Sequence, residues 1–505
     1  MSIISVSAHL WTGLVIFATT IYFFSLTQPT GVNVSNTSGS KPNMMSKAAF
    51  DVLTADIKTL QNWLQHGQGT SAKLVEIYLA QIQRHDGYLH AMTQVRQLEL
   101  LMETASSLDK ERQAGHLRGP LHGIPIIIKD NIATHPSFGL KTTAGSLALF
   151  NSKPPKNAKI VDMLIAAGAI ILGKSNLSEL ANYRQVGIML PSGWSATGGQ
   201  IQSVYSPSGS SSGSAVAVSA GYAPVSLGTE TDVSLVCPAG RAALYTLKPT
   251  IGLVPQAGIV PVSQNFDSAG PMTKTVADLA IVLDAITDGG SNKSFTSSLT
   301  GSWSDISVGA LDPEVWKFPN SFIRPTRSAT LQTNADIQEA YMKIKPLAKS
   351  FSENVPLRLL ETIELNGESS EMVITRADLR DIPNAYLKDL DDSDVRSVQD
   401  IIDFNIKHAD EELPPGHANQ DFLIAVQEQQ LGPNEYNDHF ENMRRLSREE
   451  GIDLILQKYG LDVIIGPADS FIFSLATCSG YPVAAMPLSY LYLQWKTFGN
   501  GCLGW

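Results

Sequence analysis

SGSSSGSAVAVSAGYAPVSLGTETDVSLVCPAGRAALYTLKPT, residues 208–250, decides how the rest of the chain is read. Small and hydroxyl residues crowd a place where a core element would carry bulk. The run Gly209-Ser210-Ser211-Ser212-Gly213-Ser214 favours turns and helix caps, because Gly is conformationally free and Ser competes for backbone partners. Ala215-Val216-Ala217-Val218-Ser219-Ala220-Gly221 follows, and its small apolar side chains suit a closely packed helix that begins at the Ser-rich turn. Backbone N–H groups converge at such an N-terminus, so the stretch reads as an active site.

Working outward, Gly119-Pro120-Leu121-His122-Gly123-Ile124-Pro125 is a turn-rich approach to a short apolar strand, Ile126-Ile127-Ile128, ended by Lys129-Asp130-Asn131. A lysine at a strand end ordinarily snorkels to the surface. In apolar surroundings its ammonium form is disfavoured, and neutral Lys129 can then act as a base. Residues 158–167, then Gly168, then 169–173 carry helix, glycine-stop and buried-strand signals in succession. Residues 251–255 and 258–261 look like short strands, 276–287 like a helix, and 461–467 and 481–488 like further buried strands. This alternation predicts an α/β protein with a substantially parallel or mixed sheet. Nearer the N-terminus, Thr54 and Thr70 are placed as helix N-caps, and Leu74, Val75, Tyr78, Leu79 and Ile82 form one apolar stripe.

With 505 residues, 43% hydrophobic and 17% charged, the chain has the balance of an ordered globular protein with a large core. A net charge of −11 argues against a nucleic-acid partner. Cys237, Cys478 and Cys502 lie far apart without CxxC or Cys/His ligand spacing, so neither a zinc or other metal site nor a disulfide framework is expected, and Cys237 reads as a small buried residue. Residues 9–26, HLWTGLVIFATTIYFFSL, are uncharged and apolar over a length that predicts one N-terminal transmembrane helix or an uncleaved signal. The expected location is therefore a membrane, or the secretory pathway if the segment is cleaved. Lys41 and Lys47 favour a cytoplasmic body, whereas sequons at Asn33 and Asn36 suit a lumenal one. Beyond the N-terminal tip, 1–8, and this anchor, residues 27–47 read as a flexible tether, 48–490 as the folded domain and 491–505 as an atypical, truncated tail. The acidic region 357–448 reads as a solvated helical face.

Gly209-Ser210-Ser211-Ser212-Gly213 formally satisfies G-x-S-x-G, the nucleophile elbow of α/β-hydrolases. That reading needs a later histidine, and His408, His417 and His439 all fall in the acidic region, where surface placement is expected. No G-K-[ST] closes the glycine run, which excludes a phosphate-binding loop. The elbow also leaves Lys129 and the cluster Gly228-Thr229-Glu230-Thr231-Asp232-Val233-Ser234 unexplained.

Taken together, these pieces resemble the amidase signature family. The resemblance rests on Gly123-Ile124-Pro125 with Lys129-Asp130, Gly209-Ser210-Ser211 with Gly213-Ser214-Ala215, Gly228-Thr229-Glu230-Thr231 with Ser234 and Pro238-Ala239, and Leu247-Lys248-Pro249-Thr250. Their flanks, Gly173-Lys174-Ser175-Asn176-Leu177-Ser178-Glu179 and Asp267-Ser268-Ala269-Gly270-Pro271-Met272, agree in order and spacing. It implies an amidase signature fold: a central mixed, largely parallel twisted β-sheet covered by helices on both faces. It further implies hydrolysis of a small carboxylic amide outside the peptide main chain, without a cofactor. By motif position Ser234 would be the nucleophile, Ser210 a proton relay on a cis peptide bond, and Lys129 the base. Backbone N–H groups of Thr231, Asp232, Val233 and Ser234 would form the oxyanion hole, with Ser211 in support.

Val233 departs from the family, where a glycine usually precedes the nucleophile, and its branched Cβ disfavours positive φ. Reduced activity is the expectation. Ser212 and Val236 are smaller departures. The family continues beyond residues 486–488 with a further strand and helix, so the altered tail is expected to leave a sheet edge unpaired. Two alternatives stay open: a catalytically impaired amidase-fold protein that binds a ligand, and an amidotransferase-like subunit. Tyr183, Met189 and residues of the 357–448 region are candidates to line the substrate pockets.

Overall fold

Ile126-Ile127-Ile128 forms the middle of a strand in which no residue reaches solvent, and that strand lies deep in an eleven-stranded sheet. The computed structural model describes residues 16–18, 50–184, 192–203, 206–287, 294–320, 326–489 and 491. In chain order the sheet strands are β1 (Ile16–Ala18), β2 (Met92–Val95), β3 (Pro125–Lys129), β4 (Ile170–Ser175), β5 (Val225–Glu230), β6 (Tyr245–Lys248) and β7 (Ser268–Thr273). The remaining four are β8 (Ser307–Ala310), β9 (Ser350–Ser352), β10 (Val463–Ile465) and β11 (Val483–Ala485). Their spatial order is β9-β8-β10-β1-β11-β6-β7-β5-β3-β4-β2. Pairing is parallel from β9 through to β11 and across β5-β3-β4. It is antiparallel at β11-β6, β6-β7, β7-β5 and β4-β2, so the sheet is mixed. Every residue of β3, β4, β5 and β7 is buried, which requires cover on both faces and explains their mostly apolar and small-residue sequences, with Lys129, Lys174 and Glu230 the charged exceptions.

Helices α1 (Ile57–Gln65), α2 (Ser71–Leu89), α3 (Leu98–Gln113) and α4 (Lys159–Ala166) supply one part of this cover. Thr70 caps α2 as expected, its hydroxyl accepting from the Lys73 N–H. Thr54 does not cap α1; Asp56, nearer the apolar run, accepts from the Thr59 N–H instead. Short helices α5 (Ser212–Ser219) and α6 (Val236–Arg241) follow the Ser-rich turn and the second motif, and α7 (Val276–Ile286) packs beside β7. The stretches 251–255 and 258–261 are turns rather than strands; Gly252 and Gly258 both adopt φ +84°, and Pro255 and Pro261 lack the N–H a ladder needs.

The region 357–448 builds α9 (Ser370–Lys388), α10 (Val398–Lys407), α11 (Asp421–Glu428) and α12 (Pro433–Arg444), after α8 (Arg327–Ile344); α13 (Ile472–Ser479) precedes β11. Its charges are not all solvated. Asp378 and Glu412 are buried, the first bonded to Tyr436 and Ser263 and the second to Ser146 and the Leu147 N–H. His439 is buried too, its Nδ1 3.2 Å from Ser370 Oγ, contrary to the expected surface placement. Cys237 is partly exposed; Cys478 is the buried one.

The expected membrane-spanning helix over residues 9–26, and with it the membrane or secretory location, is overturned. Its described part, Ile16–Ala18, is a strand inserted between β10 and β11, with Phe17 opposite Ile465 and Ala484. No helix among the described residues is long and apolar enough to cross a membrane. Apolarity alone does not separate a bilayer helix from an interior strand, and this run is rich in β-branched and aromatic residues that favour the strand. The same pairing removes the unpaired edge expected at the C-terminus, since β11 has β1 on one side and β6 on the other. The tether, Asn33, Asn36, the rest of 9–26, and the tail beyond Leu491 lie outside the described residues.

Candidate active site

β3 delivers Lys129 into the interior: the three isoleucines before it are fully buried, and so is the lysine. Its Nζ donates to Ser210 Oγ at 2.8 Å and to Thr229 Oγ1 at 3.0 Å, with the Thr229 carbonyl 3.3 Å away. Loss of hydration without a directly bonded carboxylate pushes its pKa from 10.5 down to about 7, although the negative charges of Glu230 and Asp267 oppose the shift. Lys129 is thus poised to gain or lose a proton near neutrality.

The Ser-rich turn comes close because two glycines let it. A Cβ on Gly213 would lie 2.3 Å from the Asn176 carbonyl oxygen, and one on Gly228 would lie 2.7 Å from Ser211 Oγ. The Gly209–Ser210 peptide bond is cis, and Ser210 is fully buried with its carbonyl accepting from the Ser178 N–H at 3.0 Å. Ser211 holds the two motifs together: its Oγ donates to the Thr229 carbonyl at 2.9 Å and accepts from the Thr229 N–H at 3.2 Å. Its own N–H donates to the Ser234 carbonyl at 3.1 Å. Ser211 is therefore engaged by backbone and has no histidine partner, which removes the nucleophile-elbow reading.

β5 ends at Glu230, and the chain turns through Thr231-Asp232-Val233-Ser234 into α6. The buried Glu230 carboxylate accepts from the Leu235 and Val236 N–H groups at 2.6 and 3.0 Å and so caps α6. Burial raises the Glu230 pKa, while Lys248, 3.8 Å away, and these two amides favour its charged form. Lys248 Nζ also donates to the Thr231 carbonyl at 2.6 Å and to Thr477 Oγ1 at 2.8 Å. Thr231 Oγ1 donates to Asp267 at 2.7 Å, and Ser474 Oγ to Asp232 at 2.8 Å. The turn is thereby clamped from three sides. Among the described residues, the N–H groups of Asp232 and Ser234 have no acceptor, leaving them free for an incoming oxygen. Ser234 Oγ donates to the Asp232 carbonyl at 3.2 Å and makes no hydrogen bond to Ser210. Val233 sits at φ +55°, the left-handed region that its branched side chain disfavours.

Lys129, Ser210 and Ser211 are thus brought into one hydrogen-bonded cluster, and Ser234 and the turn before it are held beside that cluster through backbone. Asn131, Thr229, Glu230 and Lys248 also belong to it; each lay inside or next to a quoted motif, and nothing in the sequence assigned them a contact. A pocket of about 530 Å³, counting its open mouth, adjoins the cluster and is lined mainly by aliphatic side chains, among them Leu149, Leu379, Leu387, Ile401 and Leu423. Tyr183, a candidate for lining the substrate pockets, lines this one, and Asn131 is in its wall. Met189 lies outside the described residues.

Comparison with known proteins agrees with this geometry. A family model described as Amidase matches residues 73–470. An Arabidopsis thaliana protein named a probable amidase is 33% identical over 457 residues, covering 90% of this chain and 87% of its own. The native peptide amidase of Stenotrophomonas maltophilia superposes with a TM-score of 0.72 at 33% identity, over 86% of this chain and 91% of that one. An amidase family protein from Bacillus anthracis gives a TM-score of 0.74 at 27% identity, over 87% and 85%.

Proposed function

The chain belongs to the amidase family and is an amide-hydrolysing enzyme, and from that premise we propose that residues 48–490 cleave a carboxylic amide outside a peptide main chain through an acyl-enzyme on Ser234. Ser234 Oγ bonds to the substrate carbonyl carbon as its proton passes to Ser210, whose own proton passes to neutral Lys129. The carbonyl oxygen takes up negative charge and is received by the N–H groups of the Thr231–Ser234 turn, each such donor commonly being worth about 3–4 kcal/mol. The C–N bond then breaks as Lys129 returns the proton through Ser210, so the amine leaves neutral; water repeats the sequence and frees the acid. Before the first step the Ser234 hydroxyl must turn from the Asp232 carbonyl to Ser210, and such contacts commonly tighten only with substrate bound. The observation that carries this reading is the fully buried Lys129 with its Nζ 2.8 Å from Ser210 Oγ.

A serine-directed fluorophosphonate probe tests it. Labelling is expected on the peptide containing Ser234, and to fall when Lys129 is replaced by alanine. Labelling on Ser211, or labelling indifferent to Lys129, would sink the assignment.

Val233 is expected to slow this chemistry. A left-handed conformation costs an ordinary L-residue roughly 1–2 kcal/mol, and β-branching adds to that. The valine side chain also packs against the cluster containing Val236, Ile472 and Phe473, so glycine would relieve strain and lose contact in similar amounts. Val233→Gly should therefore leave the melting temperature nearly unchanged while raising kcat by about tenfold, equivalent to ~1.4 kcal/mol in the barrier. Equal turnover by the two proteins on a panel of amides would dispose of the idea.

A further inference from the structure

Two carboxyl groups that the proposed chemistry does not use, Glu179 and Glu412, are buried around a single buried cation, Arg184. Arg184 Nη1 donates to Glu179 Oε1 at 3.1 Å and to the Glu412 carbonyl, and Nη2 donates to the His417 carbonyl at 2.6 Å. The second Glu179 oxygen accepts from the Ala196 N–H at 3.0 Å. Glu412 Oε1 accepts from Ser146 Oγ at 3.0 Å and from the Leu147 N–H at 2.6 Å, whereas its Oε2 is buried without a donor. One guanidinium balances one carboxylate, and a second buried carboxylate would stand uncompensated. Loss of hydration, and after it the charge of Glu412, raise Glu179 well above the ordinary carboxyl range against the pull of Arg184. Burial raises Glu412 as well, opposed by the Leu147 N–H, Ser146 and Arg184. His417, stacked on Trp194 with ring centroids 4.4 Å apart, adds no charge at neutral pH, because burial and Arg184 lower its pKa. Asp410 and Glu411, on the short helix that carries Glu412, are exposed.

The segment between Glu179 and Arg184 is strained. Leu180, Ala181 and Asn182 take φ of +49°, +57° and +74°, three left-handed residues in succession and none of them glycine. Such a run persists only where its surroundings over-determine it. Here the Ser178 N–H donates to the Ser210 carbonyl at 3.0 Å, the Leu180 N–H donates to the Ala144 carbonyl at 2.9 Å, and the Glu179–Arg184 ion pair closes the turn across its ends. Leu180, Ala181 and Tyr183 of this turn line the pocket beside the Lys129 cluster.

We propose that Glu179 and Glu412 share one proton, and that this acid pair with Arg184 is a positioning device that fixes the left-handed turn of the pocket wall and lets it relax when the proton is lost at alkaline pH. Glu412 Oε2 then has its missing partner. The proton is held more tightly in the folded protein than in the unfolded chain, so its contribution to stability is complete at acid pH and is lost as pH rises through the folded-state value. That this wall serves a substrate rests on the amidase reading above. Relaxation of the wall weakens substrate binding, while Lys129, already neutral above about 7, continues to act as base.

Hydrogen exchange read by mass spectrometry on the full-length protein between about pH 6 and 10, over residues 178–184 and corrected for the intrinsic base-catalysed rate, tests the pair. In the parent, protection of this segment is expected to fall about tenfold per pH unit once the proton has left, with β3 still protected. Glu412→Gln, whose amide donates to Glu179 at every pH, should hold the protection level. Glu179→Gln should do the same from the other side, so whichever variant folds is sufficient. On any amide the parent hydrolyses, KM should climb over the alkaline range with kcat level, and Glu412→Gln should abolish the climb. Level protection in the parent, or the same alkaline fall in the glutamine variants, overturns the proposal; a fall in protection without a rise in KM overturns the positioning role. Exchange needs no substrate, so a parent that hydrolyses no amide would sink the function proposed above and leave the shared proton to be judged on its own ratios.

Discussion

Ser234→Ala is expected to lower kcat on any hydrolysed amide by about 10⁴–10⁶-fold, the scale seen when the attacking hydroxyl of a serine hydrolase is deleted. Stability should change little. Ser234 Oγ makes a single hydrogen bond, to the Asp232 carbonyl, and such a bond contributes on the order of 1 kcal/mol net. Ser211→Ala should show the opposite balance, because Ser211 Oγ serves both the carbonyl and the N–H of Thr229 and its loss strips the N–H of this partner and leaves the carbonyl with Lys129 Nζ at 3.3 Å. Initial rates set beside thermal melts of the two variants separate nucleophile from brace. Retention of more than about a hundredth of the parent rate by Ser234→Ala, far above the loss expected for a nucleophile, would show that another atom attacks.

Lys129 governs the second large effect. A base must be neutral to accept a proton, and burial has brought the Lys129 pKa down to about 7. The neutral fraction falls tenfold for each pH unit below that value and levels off above it. The acid limb of kcat/KM should therefore rise with pH and flatten above about 7, opposite to a reaction that needs the ammonium. Lys129→Ala is expected to cost roughly 10²–10⁴-fold, the usual contribution of a positioned general base, and to abolish that limb. A pH profile from 5 to 9 on both proteins, at the scale set by the lysine pKa, decides the matter. A flat profile for the parent, or the same limb in the variant, would remove Lys129 from the proton path.

Much of this site was legible because chemistry and packing ask for different residues. Three serines between two glycines are poor core material, and a lysine after three isoleucines is poor strand material; both stood out against their neighbours. His439, Asp378 and Glu412 of the 357–448 region were misplaced for the converse reason. What buries them is remote: His439 meets Ser370, Asp378 meets Ser263, and Glu412 meets Ser146, 266 residues away. Composition describes a residue's own preference and carries no record of such partners.

What the sequence determined by itself was the inventory: an α/β chain of the amidase family, with Lys129, Ser210 and Ser234 at the positions proposed to carry that chemistry. Tertiary structure alone decided the rest. It put residues 16–18 into the sheet instead of a membrane, placed Lys129 against a serine 81 residues away, and set Val233 at φ +55°. It also left Asn131 Oδ1 buried without a hydrogen-bond partner. The physical reason is common to all four. Strand insertion, desolvation, backbone strain and an unpaired acceptor depend on what surrounds a residue, and those surroundings are assembled from segments far apart in the chain.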